Sequence, residues 1–349
     1  SLIAFRLPGW LRGGDDIAHD ASLYFLIYAL SVPFLQLGIL SSNMLKSAGN
    51  MQIPSIMSVL MCVLDVCFNY LFIYVAGLGV PGAALGTVLS IAIVASVEAW
   101  FALFRSSILA LRLDKERFVW MWSYVRNAVK ISAPIAAQYV LMSGAQIVST
   151  YIVAPLGNFA IAANTFAITA ESLCYMPGYG IGDAATTLVG QSMGAGQYGL
   201  CRSFAKLTVG MGMAVMALMG VVMYVFAPEM IGLMTPVEEI RNLGTQVLRI
   251  EAFAEPMFAA AIVGNCVCVG AGDTLKPSLM NLASMWGVRL TLAAVLAHWY
   301  GLQGVWTAMA IELTFRGTLF LIRLKWGAWL RAEGGVEKNN ADRGRQVLS

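Results

Sequence analysis

Charge is what this sequence has least of. Aspartate, glutamate, lysine and arginine make up 12% of 349 residues, against about 25% in an ordinary soluble domain. A soluble chain of this length covers its surface with polar groups, and 22 basic and 19 acidic residues are too few. A soluble globular protein is therefore excluded. Histidine is scarcer still, and His19 and His298 have no metal-ligand spacing. No serine stands in a nucleophile motif with a partner histidine, and no H-E-x-x-H helix occurs, so an enzyme would lack the residues to act. The net charge is only +3. The basic residues form no patch, which argues against a nucleic-acid partner. The six cysteines lie mostly inside apolar runs and read as small buried apolar residues, not as disulfides or metal ligands.

Long apolar runs take the place of charge. Gln52–Gly77 and Pro81–Phe104 each carry one acid and no base, and about 20 apolar residues suffice for a helix to cross the hydrocarbon layer. Hydropathy marks about nine such segments, at 22–47, 53–76, 82–105, 127–152, 158–190, 204–228, 242–269, 277–300 and 304–327. They must be helices, because unpaired backbone groups in lipid are too costly and alternating barrel strands are absent. The expected class is an all-α integral membrane protein, its principal partner the lipid bilayer.

Lysine and arginine are distributed unequally between alternate loops. One side collects Lys46, Arg105 to Lys130, Arg202, Lys206, Lys276 and the tail from Arg323. The other has only Arg6, Arg12, Arg241 and Arg249, with Arg289 and Arg316 left within the membrane. The positive-inside rule assigns the basic side, and with it the C-terminus, to the cytoplasm. This predicts a multi-pass protein of the inner (plasma) membrane.

The chain also repeats itself. A slide of 223 residues lays Pro33 on Pro256, Ala48-Gly49 on Ala271-Gly272, Pro54-Ser55 on Pro277-Ser278 and Met57 on Met280. After a one-residue slip, Gly82 falls on Gly304. Segments one to three therefore repeat segments seven to nine, while segments four to six have no earlier counterpart. Ser1 is not an initiator methionine, and roughly 100 residues, about three helices, are expected to precede it. The expected architecture is two parallel six-helix bundles with the first three helices missing. Residues 1–105 would be the remainder of the first lobe, 106–126 a cytoplasmic loop, 127–328 the second lobe and 329–349 a cytoplasmic tail.

Three motifs carry a resemblance. These are Lys46-Ser47-Ala48-Gly49-Asn50 with Pro54, repeated as Gly270-Ala271-Gly272-Asp273-Thr274 with Pro277; the turn Gly77-Leu78-Gly79-Val80-Pro81-Gly82-Ala83-Ala84; and Ala184-Ala185-Thr186-Thr187-Leu188-Val189-Gly190-Gln191 with Gly194-Ala195. Together they resemble the multidrug and toxic compound extrusion (MATE) transporters over essentially the whole chain. The resemblance implies two lobes around an outward-opening cavity. It also implies export of small organic, often cationic, compounds by a monomer without cofactor, driven by inward flow of H⁺ or Na⁺. One branch of the family sets its coupling aspartate on a first helix that would precede this chain, with an Asn and an Asp four apart on the fifth. The matching positions here are Asp65 and Asn69, with the two types exchanged. A sodium-driven branch carries an acid on the seventh helix where segment 127–152 has Gln138, Tyr139 and Gln146. Its tenth-helix acid falls about one turn from Glu255.

Ionisable residues within the membrane are costly and are functional candidates by default. Asp65 with Asn69 one turn on could load and release a proton; alternatively, Asp65 pairs with a base such as Arg289. Glu251 and Glu255 share a helix face beside Pro256, and two close carboxylates resist ionising together, which suits cation binding. Otherwise Glu251 lies near the interface and pairs with Arg249. Glu171 is a candidate for facing a cavity. Asp183, beyond the glycines at 178, 180 and 182, reads as structural, in a bent helix packed closely on its neighbours. Glu312 and Arg316, four apart, read as a self-satisfied ion pair, and Glu98 as interfacial. Some of the 19 methionines would line an adaptable cavity, the rest being core or lipid-facing. A flippase of lipid-linked sugars on the same fold is the alternative function. It would be expected to line its cavity with bases, where this sequence places more acids than bases in the membrane.

Overall fold

The computed structural model describes residues 15–106, 109, 122–327 and 329–330, with side chains from Ser22 onward except Tyr124. Most of the expected 106–126 loop, the tail from 331, and Arg6 and Arg12 lie outside the described residues. Regular structure among the described residues is helical throughout, and the chain divides into two units, 1–119 and 120–349.

The first unit holds α1 (Asp15–Ser47), α2 (Gln52–Tyr70) and α3 (Gly79–Trp100). π-helical turns, Leu71–Val75 and Phe101–Arg105, extend the last two. α3 packs against both others and is the most buried of the three. The second unit holds α4 (Trp122–Val153), α5 (Asn158–Gly194), α6 (Tyr198–Gly232), α7 (Glu238–Ala252) and α8 (Glu255–Gly270). It continues with α9 (Leu275–Leu282), a π-helical stretch Ala283–Arg289, and α10 (Leu290–Lys325). Every expected span is found as helix, with one refinement. The segment 242–269 is not one rod: α7 and α8 meet at a 59° bend. The 51 residues Leu275–Lys325 would reach about 75 Å as one helix, far more than a bilayer. Gly301, at φ 57° and ψ −135°, breaks them into two spans, as expected. Exposed Trp299 and Tyr300 stand beside this turn, where aromatic side chains mark a membrane interface.

The repeat is visible in the backbone. Gly49 and Gly272 both close a helix with positive φ, 87° and 79°. In each copy the glycine N–H and the next N–H reach back to the last turn: Gly49 to Lys46 O and Asn50 to Leu45 O, Gly272 to Val269 O and Asp273 to Cys268 O, all at 2.9 Å. Only glycine enters this conformation without strain, which is why the Ala-Gly pair recurs. The copies differ at their matched prolines. α1 runs unbroken through Pro33, whereas Pro256 stands in the first turn of α8, just after the break.

Glycines let helices of the second unit touch backbone to backbone, as small residues do in membranes. A Cβ at Gly270 would lie 2.6 Å from Thr186 O, and one at Gly317 would overlap the Met257 carbonyl. Two glycines of α5 make room for side chains instead, Gly178 facing Met216 Sδ and Gly182 facing Cys266 Sγ. Replacing a helix glycine by alanine normally favours the helix by about 1 kcal/mol. Gly317→Val should instead cost about 1–3 kcal/mol through overpacking. Thermal unfolding of the purified protein in detergent reads this as a lowered midpoint; Gly180→Ala, whose added carbon meets nothing within 4 Å, should leave the midpoint unchanged or raised. The cysteines of the first unit depart from the expectation of burial. Cys62 and Cys67 are exposed, while Cys174, Cys201 and Cys268 are buried. α2 shows the reason, since none of its spanning window is covered.

Candidate functional site

The break between α7 and α8 brings together what hydropathy kept apart. α7 ends at Ala252, and the Ala254 N–H donates to the Glu251 carbonyl at 2.8 Å. α8 then restarts with Glu255 in its first turn, where an acid meets the positive end of the helix dipole. Gly220 of α6 makes room, since a Cβ there would stand 2.7 Å from Ala252 O and 3.2 Å from Glu255 Cβ. Glu251 and Glu255 both have 0% exposure. None of their four carboxylate oxygens has a hydrogen-bond partner.

Two further acids join them. Glu171 of α5 is buried and interacts electrostatically with Glu251, Glu255 and Arg289. Glu312 of α10, also within electrostatic reach of Glu251, is better provided for. Its Oε1 accepts the Ser284 hydroxyl at 2.6 Å and faces Arg316 Nε at 3.2 Å. Arg316 in turn lies over the Phe258 ring at 5.8 Å. The expected Glu312–Arg316 pair is thus present, with Ser284 an unforeseen third member. Glu312 Oε2 remains without a partner. Four buried carboxylates from α5, α7, α8 and α10 share the region with two guanidinium groups. Burying an unpaired charge costs several kcal/mol per ion, so a proton or a small cation entering here would relieve a real deficit. The acids are spread out, and among the described residues no three ligand-type side chains could hold a metal ion.

Several expectations need correcting. Glu251 is fully buried and is not paired with Arg249, whose Nε donates instead to Tyr224 O at 3.2 Å while its guanidinium covers the Tyr224 ring. Glu98, near the end of its helix, is not left open to solvent. It is 5% exposed and lines a cavity of about 230 Å³ among α1, α2 and α3, with the Ser42 hydroxyl and Lys46 as its neighbours. Ser42 and Lys46 are four apart on one face of α1, a spacing that could have revealed the pair. Gln138 is half-buried and Tyr139 is 70% exposed, both on α4. Asp183 is exposed on α5, where its backbone carbonyl accepts the Thr187 hydroxyl at 3.1 Å.

In the first unit Asp65 and Asn69 meet as their spacing predicts. Asn69 Nδ2 donates to Asp65 Oδ2 at 3.1 Å, and Asp65 Oδ1 is buried without a partner. Gly86 of α3 presses against the Asn69 amide, where any Cβ would collide. Arg289, the partner weighed for Asp65, belongs to the second unit. There it points at the Met309 sulfur and Glu171, and it lines a small cavity with Gln146, Ser149, Thr150 and Asn164.

Comparison with known proteins agrees with this architecture. The MatE family model matches residues 134–295. The chain is 27% identical over 294 residues to the probable multidrug resistance protein NorM of Thermotoga maritima, a match covering 82% of this chain and 63% of that protein. It is 24% identical over 324 residues to the uncharacterized transporter YisQ of Bacillus subtilis, covering 91% and 70%. The chain thus spans less than two thirds of the Thermotoga relative. Among solved structures, the Vibrio cholerae MATE transporter VcmN in its bent form matches with TM-score 0.81 at 18% identity, over 95% of this chain and 74% of that one. A MATE structure in complex with MaD3S matches with TM-score 0.85 at 18% identity, over 93% and 72%. The two solved structures share the fold of this chain.

Proposed function

The chain belongs to the MATE family of membrane transporters, and from that premise we propose that it is the greater part of an antiporter exporting small organic cations in exchange for H⁺ or Na⁺. The multidrug-resistance name of the Thermotoga relative supports the cargo class. The observation that carries the coupling is the group of buried, partnerless glutamates at the α7–α8 break. Asp65 and Asn69 form a second candidate station in the first unit. Binding of the ion at such a station favours one conformation and substrate the other, which is what couples two fluxes. The surplus of acids over bases in the membrane favours cationic cargo over the pyrophosphate of a lipid-linked sugar. In this reading, residues 1–105 complete the first lobe, 106–126 link it to the second lobe at 127–328, and the 329–349 tail is cytoplasmic. The protein acts as a monomer in the inner membrane.

Efflux of a fluorescent organic cation from pump-deficient cells expressing the full-length protein tests the proposal. Efflux should collapse when a protonophore or removal of Na⁺ dissipates the driving gradient, and should fall on Asp65→Asn if the first-unit station takes part. No efflux of any cationic dye, from protein shown to be in the membrane, would shift the reading to a specific metabolite or lipid-linked cargo.

A further inference from the structure

At the end of the second unit where α6 begins and α10 ends, a cavity of about 600 Å³ opens between the two helices. Arg202, Lys206 and Lys325 line it without any acid. Arg323 is held away by its ion pair with Asp273. Among the described residues, none of the three lining cations is paired with an acid. The local sequence builds this shape. Gly327, at φ 65°, reverses the chain after α10, so that Trp329 folds back to 1% exposure and donates its indole N–H to Leu324 O at 3.2 Å. Trp326 is left outside at 78% exposure.

The lining is graded along the two helices. On α6 the cations at 202 and 206 are one turn apart. The same face continues inward with Val209, Gly210 and Met213, and α10 matches it with Lys325 at the end and Leu321 within. Gly210 leaves the groove open, since a Cβ there would meet nothing within 4 Å. Cations at the rim, the exposed Trp326 indole beside them and an apolar channel below match the polarity of a phospholipid, headgroup first. A free anion would have no use for the apolar channel. A neutral lipid would leave three clustered cations unanswered.

We propose that this cavity binds one anionic phospholipid, its phosphate held by Arg202, Lys206 and Lys325 and an acyl chain laid along Gly210 and Met213. The proposal rests only on the protein being embedded in a membrane, and it stands whether or not the exported cargo is a cation.

Quenching of tryptophan fluorescence by brominated lipids tests it, with the full chain in vesicles of phosphatidylcholine and phosphatidylglycerol. At equal mole fraction, brominated phosphatidylglycerol should quench more than brominated phosphatidylcholine. The preference should fall roughly fivefold for each cation replaced by glutamine. It should vanish in the triple variant Arg202→Gln, Lys206→Gln, Lys325→Gln and survive in Lys130→Gln with Lys276→Gln. Gly210→Leu, which fills the groove with every charge kept, should also abolish it. Equal quenching by the two lipids would overturn the proposal, as would retention of the preference in the triple variant or in Gly210→Leu. Loss of the preference on adding inorganic phosphate would make this a free-anion site. A preference seen only after removal of residues 331–349 would make the chain's own tail the occupant. Either outcome would sink the lipid assignment.

Discussion

Glu255→Gln in the full-length protein is expected to cut gradient-driven dye efflux by roughly 5- to 150-fold, the range of a lost coupling free energy between two sites. The variant should fold at least as well as the parent. Both expectations come from one observation: the Glu255 carboxylate is fully buried and no group hydrogen-bonds it. A carboxylate that stabilised the fold through partners would leave them stranded on removal. This one has none to strand, so the amide removes a desolvated charge and should hold or raise the unfolding midpoint. Glu251→Gln should behave alike, because its two oxygens are equally orphaned. Transport and thermal unfolding, measured on the same preparations, separate the possibilities. Efflux unchanged in the double variant would show that these acids are not the coupling station. A large fall in the unfolding midpoint would show that the two glutamates are structural.

The opposite pattern is expected at Glu312. Arg316→Met should destabilise the second unit by about 3–5 kcal/mol, because it strands a fully buried carboxylate. The Glu312 oxygen facing Arg316 at 3.2 Å would keep only the Ser284 hydroxyl. Ser284→Ala should cost about 1.5–3 kcal/mol, the range for a hydrogen bond to a charged group. Glu312→Leu combined with Arg316→Met should recover most of the loss, since a buried pair exchanged for apolar groups is often neutral. A double-mutant cycle on unfolding midpoints reads the coupling directly. Additive single effects would mean that the pair is held by its surroundings and not by mutual attraction.

The contrast between Glu255 and Glu312 marks how far the sequence could be read. Both are lone acids in apolar runs with a charged neighbour four residues away. Spacing alone suggests a partner for each, Glu251 for one and Arg316 for the other. Glu312 meets its partner because residues four apart on an unbroken helix share a face. Glu251 and Glu255 are separated by the α7–α8 break, so helical spacing no longer decides how they face each other. The same limit applied to Glu98. Its position near a helix end suggested an interface, and only the packing of α1 against α3 buries it beside Ser42 and Lys46.

Properties that depend on local composition were legible from the chain alone. They include the helical spans, the glycine-closed turns at Gly49 and Gly272, the repeat that relates them, and the division at Gly301. Each follows from hydropathy or from backbone sterics within a few residues. The 59° bend after Ala252, the pooling of four glutamates from four helices, and the cation-rimmed cavity between α6 and α10 were decided only by tertiary structure. A buried charge is costly or satisfied according to what other helices bring to it, and that is set by packing between residues far apart in the chain, as Glu171 and Glu251 show.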